Sequence, residues 1–137
     1  MILLIDDDGY SLEFIADVFA KHGLNYRLKV FRDGGEALDY LFADVPGSDP
    51  PEAPKVIILD LRLPRVSGFE VLKMVRSNKK TRMTPVVVFT SSTDDRDRAE
   101  SYRLGANSFI IKPFEYEQFV NVAVEIGRYW TSQNCPP

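Results

Sequence analysis

Short apolar runs alternate with stretches of helical periodicity from one end of the chain to the other. Ile2 to Asp6 opens with four apolar residues and predicts a fully buried strand. Val56 to Asp60 and Val86 to Thr90 repeat the pattern, and Ser108 to Ile111 is a shorter version of it. Tyr26 to Phe31 alternates less cleanly and predicts a strand nearer the sheet edge. Between these runs apolar positions recur three and four residues apart. Leu12, Ile15, Ala16 and Phe19 define a first helix that Gly23 ends, and Ala37, Leu38 and Leu41 define a second from about Gly34. Val71, Leu72 and Val75 mark a third over 68–77. A polar helix follows over 93–104, and the last covers about 115–130. Residues 43–55, rich in Pro, Asp and Gly, predict a long surface connection.

Five strand–helix units in this order predict an α/β fold: a doubly wound parallel sheet of five strands, with helices on both faces joined by right-handed crossovers. In such sheets ligands bind outside the carboxyl ends of the strands. Asp6, Asp60, Thr90 and Lys112 all fall at carboxyl ends.

Length and composition add one domain and little else. The 137 residues are 45% hydrophobic, with no break that suggests a second domain. A net charge of −3 argues against general nucleic-acid affinity, which leaves a basic patch. No run reaches the roughly 18 apolar residues of a membrane helix, and no secretory signal precedes the first strand. The single cysteine, Cys135, lies in a Pro-rich tail and has no internal partner, so a cytoplasmic setting is expected. Because the first strand starts at residue 2, the sequence leaves open whether a few native residues precede Met1.

The chemistry sits in the acidic residues. Asp6, Asp7 and Asp8 end the first strand and Asp60 ends the third. Parallel pairing brings these carboxylates to one mouth. Like charges about 4 Å apart repel by roughly 4 kcal/mol at an effective dielectric near 20, so a counter-cation is expected. Oxygen-only donors favour magnesium, manganese or calcium over zinc. Asp8, the last of the three, suits a helix cap. His22, beside Gly23 at a helix end, suits the dipole there.

The run Ile57-Ile58-Leu59-Asp60-Leu61-Arg62-Leu63-Pro64 with Gly68, the acidic cluster upstream and Lys112-Pro113-Phe114 downstream resembles the receiver domain of two-component response regulators. The resemblance covers residues 1–131 and leaves 132–137 as a tail. It implies the CheY-like strand order 2-1-3-4-5. The longer loop before the third strand and the lack of an output domain further resemble the single-domain regulators that partner bacterial phytochrome kinases.

That resemblance implies roles for individual residues. Asp60 would accept a phosphoryl group from a sensor histidine kinase, one of the bacteriophytochrome type. Mg²⁺, or Mn²⁺, would be held by Asp7 directly, Asp6 through water, Asp60 and the Arg62 backbone carbonyl. Lys112 would pair with a phosphoryl oxygen, Thr90 would hydrogen-bond the phosphoryl group, and Phe109 would swing inward as the aromatic switch. Lys112-Pro113 would be cis. Arg62 and Ser92 stand where the family tunes dephosphorylation, and the Arg62 side chain is free to reach either the phosphoryl group or Asp6.

On this reading the chain is a signalling module that acts on itself, not an enzyme with turnover. A haloacid-dehalogenase-type phosphohydrolase also uses a strand-end Asp with Mg²⁺. It needs a second acid two residues on, however, where this chain has Arg62. A scaffold that no longer takes phosphate fits poorly with an intact Asp6, Asp7, Asp60, Thr90 and Lys112 set. The last helix carries Phe119, Val122, Ala123, Ile126, Tyr129 and Trp130 as a long apolar stripe. It leads us to expect a homodimer through the face from the fourth helix to the last helix or the tail.

Overall fold

The computed structural model describes residues 1–24, 27–44, 46–49 and 52–137. Five strands alternate with five helices: β1 Ile2–Ile5, α1 Gly9–Lys21, β2 Leu28–Phe31, α2 Gly34–Leu41, β3 Val56–Leu59, α3 Gly68–Ser77, β4 Val86–Thr90, α4 Asp95–Arg103, β5 Ser108–Ile111 and α5 Tyr116–Arg128. A single π-helical turn, Tyr129–Gln133, extends α5 and takes in the first two residues of the expected tail.

All pairings are parallel and the sheet order is β2-β1-β3-β4-β5, the order the resemblance implied. Ile5 lies level with Leu59, so Asp6 and Asp60 leave adjacent strands at the same height. Thr90 lies level with Ile111 at the end of β4, and Lys112 follows. In the order β2-β1-β3-β4-β5 the direction in which successive strands are added reverses between β1 and β3, and this switch point is where the acidic residues meet.

The alternation of side chains across the sheet divides the core. Leu4, Ile58, Val87 and Phe89 pack with Ile15, Phe19, Phe119 and Ala123 on one face. Leu3, Ile5, Ile57 and Leu59 pack with Ala37, Leu41, Val71 and Leu72 on the other. α5 approaches α1 so closely that a Cβ on Gly127 would fall 2.7 Å from Leu24 and 2.9 Å from Phe19.

Several expectations shift in detail. Tyr26, expected to begin β2, lies outside the described residues. Ala16 faces solvent, because Ser11, Ile15, Val18 and Phe19 take the inner face of α1. The stripe on α5 is largely covered by its own domain: Phe119, Ala123 and Ile126 are buried, and Val122 and Trp130 pack against the core. Tyr129 alone of the six is exposed.

Candidate functional site

Asp6 is 1% exposed, and its Oδ1 accepts the Asp8 N–H at 2.8 Å. Asp60 follows β3, and its Oδ1 accepts the Leu61 N–H at 2.7 Å with the Arg62 N–H at 3.5 Å. These bonds turn the other oxygen of each carboxylate toward Lys112. Its Nζ lies 2.7 Å from Asp6 Oδ2 and 3.1 Å from Asp60 Oδ2, and its side chain is only 6% exposed. Asp7 is exposed at the rim, and the three carboxylates of Asp6, Asp7 and Asp60 offer oxygens within 4.8 Å of one another. Arg32 braces this rim by donating to the Asp7 carbonyl at 3.0 Å.

Electrostatics follow from burial. Desolvation raises the Asp6 carboxyl from 3.8 to about 6, although its hydrogen bond and charge pairing with Lys112 oppose the rise. Burial works against the Lys112 ammonium, but the hydrogen bonds and charges of Asp6 and Asp60 outweigh it and leave its pKa raised. The lysine thus keeps its charge and neutralises part of the acidic cluster. Donors made only of carboxylate oxygens around a partly compensated charge suit a hard divalent cation such as Mg²⁺ or Mn²⁺.

The loop after Asp60 is shaped by backbone contacts. A Cβ at Gly68 would lie 2.3 Å from the Asp60 carbonyl oxygen and 2.6 Å from Leu61 Cα, so only glycine fits. The Gly68 N–H donates to the Leu61 carbonyl at 2.9 Å and closes the loop where α3 begins. Arg65 adopts a left-handed φ of 62° inside it and pairs through Nε with Asp33, the N-cap of α2, at 2.7 Å.

Thr90 is buried at the end of β4, and its Oγ1 accepts the Ser92 N–H at 3.3 Å. Phe109 is half-buried on β5, and its N–H donates to the Tyr102 hydroxyl of α4 at 3.1 Å. The structure therefore gathers Asp6, Asp7, Asp60 and Lys112 into one cluster, with Thr90 at the neighbouring strand end and Phe109 one strand further out. Asp8 caps α1 by accepting from Tyr10 N and Ser11 Oγ, and His22 is the C-cap of that helix.

Two expectations are corrected. The Lys112-Pro113 bond is trans, like every described peptide bond; X–Pro bonds favour trans by about 0.5–1 kcal/mol. The Arg62 side chain meets Asp97 on α4 at 3.9 Å rather than Asp6, because Lys112 already occupies the inner side of the cluster. Asp97 and Tyr102 escaped sequence reading. Asp97 sits three residues after the α4 N-cap, where an acid reads simply as first-turn capping, and Tyr102 reads as an ordinary aromatic on a polar helix.

Five parallel strands in this order with acids at the switch point define a CheY-like receiver. Residues 2–124 match the response regulator receiver domain, and the chain belongs to that family. It is 38% identical over 137 residues to the probable methanogenesis regulatory protein FilR2 of Methanothrix harundinacea, covering 100% of this chain and 87% of that one. It is 29% identical over 130 residues to response regulator Rcp1 of Synechocystis sp., covering 95% and 88% of the two chains. The crystal structure of the Mn²⁺-bound form of Rcp1 superposes with a TM-score of 0.90, over 99% of this chain and 97% of that one. The phosphorylated cyanobacterial phytochrome response regulator RcpA superposes at 0.89 with 30% identity, over 99% and 96%. The chain is thus a two-component signalling module whose structural neighbours are phytochrome-associated single-domain regulators.

Proposed function

We propose that Asp60 accepts a phosphoryl group from the phosphohistidine of a sensor histidine kinase, and that the kinase is of the bacteriophytochrome type, a choice supported by the likeness to a phytochrome response regulator. The observation that carries this reading is the position of Asp60, held by two backbone N–H groups on one oxygen and by Lys112 on the other. An Asp60 oxygen bonds to phosphorus as the phosphorus–imidazole nitrogen bond breaks, and the histidine leaves with its electron pair. Lys112, already shared between Asp6 and Asp60, follows the new phosphoryl oxygen as a point charge. Thr90 donates its hydroxyl to another. Asp7, Asp60 and the Arg62 carbonyl would hold Mg²⁺ or Mn²⁺ directly and Asp6 through water; the ion, when bound, neutralises charge on the phosphoryl oxygens.

The phosphoryl group adds up to about two negative charges at pH 7. Thr90 and Phe109 move inward to meet it, and the face of α4, β5 and α5 changes with them. That face carries exposed Tyr102, Ile111 and Tyr116, and we place the homodimer contact there, in the cytoplasm where the kinase has ATP. Transfer from labelled sensor kinases tests the reading. Label should pass from the cognate kinase to the wild-type chain and not to Asp60→Asn; label on that variant at the wild-type level would overturn it.

A further inference from the structure

Arg62 leaves the chain beside the Asp60 carboxylate, yet its side chain is 79% exposed and its guanidinium extends to Asp97 Oδ2 at 3.9 Å. The carboxylate it meets is far better fixed. Asp97 is 23% exposed, and the same Oδ2 accepts from Ser92 Oγ at 2.6 Å. Ser92 is buried, accepts the Asp94 N–H at 3.2 Å and donates its own N–H to Thr90 Oγ1. A continuous series of contacts therefore runs from Thr90 through Ser92 to Asp97, and ends on an exposed cation rooted two residues after Asp60.

An exposed ion pair at this distance is weak, so the guanidinium can change partner at little cost. A phosphoryl group on Asp60 offers it an anion of up to about two charges and three acceptor oxygens, which a guanidinium binds in a forked geometry. We propose that Asp97 is a positioning residue that withholds Arg62 from the phosphorylated site, and that Arg62 exchanges Asp97 for the phosphoryl group. Each partner then opposes the other. Asp97 weakens the phosphorylated state by competing for Arg62, and phosphorylation releases α4 from the loop after β3.

The inference rests on Asp60 being the acceptor, and beryllium fluoride with Mg²⁺, which forms an aspartyl-phosphate mimic on a carboxylate, probes the two separately. Asp97→Asn keeps an amide oxygen for Ser92 Oγ and removes the charge. It should tighten beryllium fluoride binding roughly two- to fivefold, the effect of losing one exposed competing pair. The same substitution in an Arg62→Ala background should leave affinity unchanged. Asp95→Asn removes an equal charge from an exposed residue that pairs with Arg98 instead, and should have no such effect. Equal tightening by Asp97→Asn with and without Arg62, or none at all, overturns the inference while leaving Asp60 as acceptor. Wild-type binding no better than that of Asp60→Asn would remove the acceptor reading and the inference together. A purely structural role for Asp97 would lower the melting temperature without any dependence on Arg62.

Discussion

Asp6 lies behind the strand ends with Lys112 Nζ at 2.7 Å, and its carboxyl pKa is still raised to about 6 by burial. For an acid raised on folding, the folded state binds more protons than the unfolded state between the two pKa values, here from 3.8 to about 6. Across that window Asp6 costs the apo-protein stability as pH rises, and the cost is constant above it. A divalent cation needs the ionised form, so protons compete with it below about pH 6. Mg²⁺ affinity measured by calorimetry should be flat from neutral pH down to about 6.5, then fall to roughly a tenth of the plateau by pH 5. Constant affinity across that range would show that Asp6 does not face the metal. Asp60, Asp6 and Lys112 were legible in the sequence because each ends an apolar run, which fixes both strand and height. The destination of the Arg62 side chain was not, since an exposed cation chooses among partners that only the folded loops bring near.

Among the helices, α4 stands apart. It buries only Ser101, whereas α3 buries Val71, Leu72 and Val75. Its surface is held by exposed pairs such as Arg103 with Glu100 and Arg98 with Asp95, which contribute little. Backbone amides of α4 should therefore exchange with solvent well ahead of those of α3 in the unphosphorylated protein. Equal protection of both helices would contradict a weakly anchored α4 as the moving element. Of the helices with a clear apolar face, α3 was predicted over its full length and α2 at its start. The end of α5 was not: its stripe runs on through Trp130, but Thr131 Oγ1 donates to the Gly127 carbonyl at 2.5 Å and the chain widens into a π turn. A periodic pattern reports which face is buried and is silent on where the backbone hydrogen bonds change register.

For the molecule as a whole, strand alternation made the architecture legible, and the strand order followed from the resemblance rather than from the pattern. One element the pattern misjudged is the apolar stripe of α5. That stripe serves the chain's own core, and the homodimer we propose would instead use the exposed Tyr102, Ile111 and Tyr116 around β5. Light scattering at high micromolar concentration should report twice the 15.6 kDa of one chain, and Ile111→Glu should return it to one. A single-chain mass with and without beryllium fluoride would rule the dimer out.

Chemical mapping of the acyl phosphate decides whether Asp60 itself carries the phosphoryl group. After incubation with acetyl phosphate and Mg²⁺, borohydride reduces an aspartyl phosphate to homoserine at the modified position. Peptide mass spectrometry should find homoserine in place of Asp60, with Asp6, Asp7 and Asp8 unchanged. Homoserine at any of those three positions, or at none, would overturn Asp60 as the acceptor.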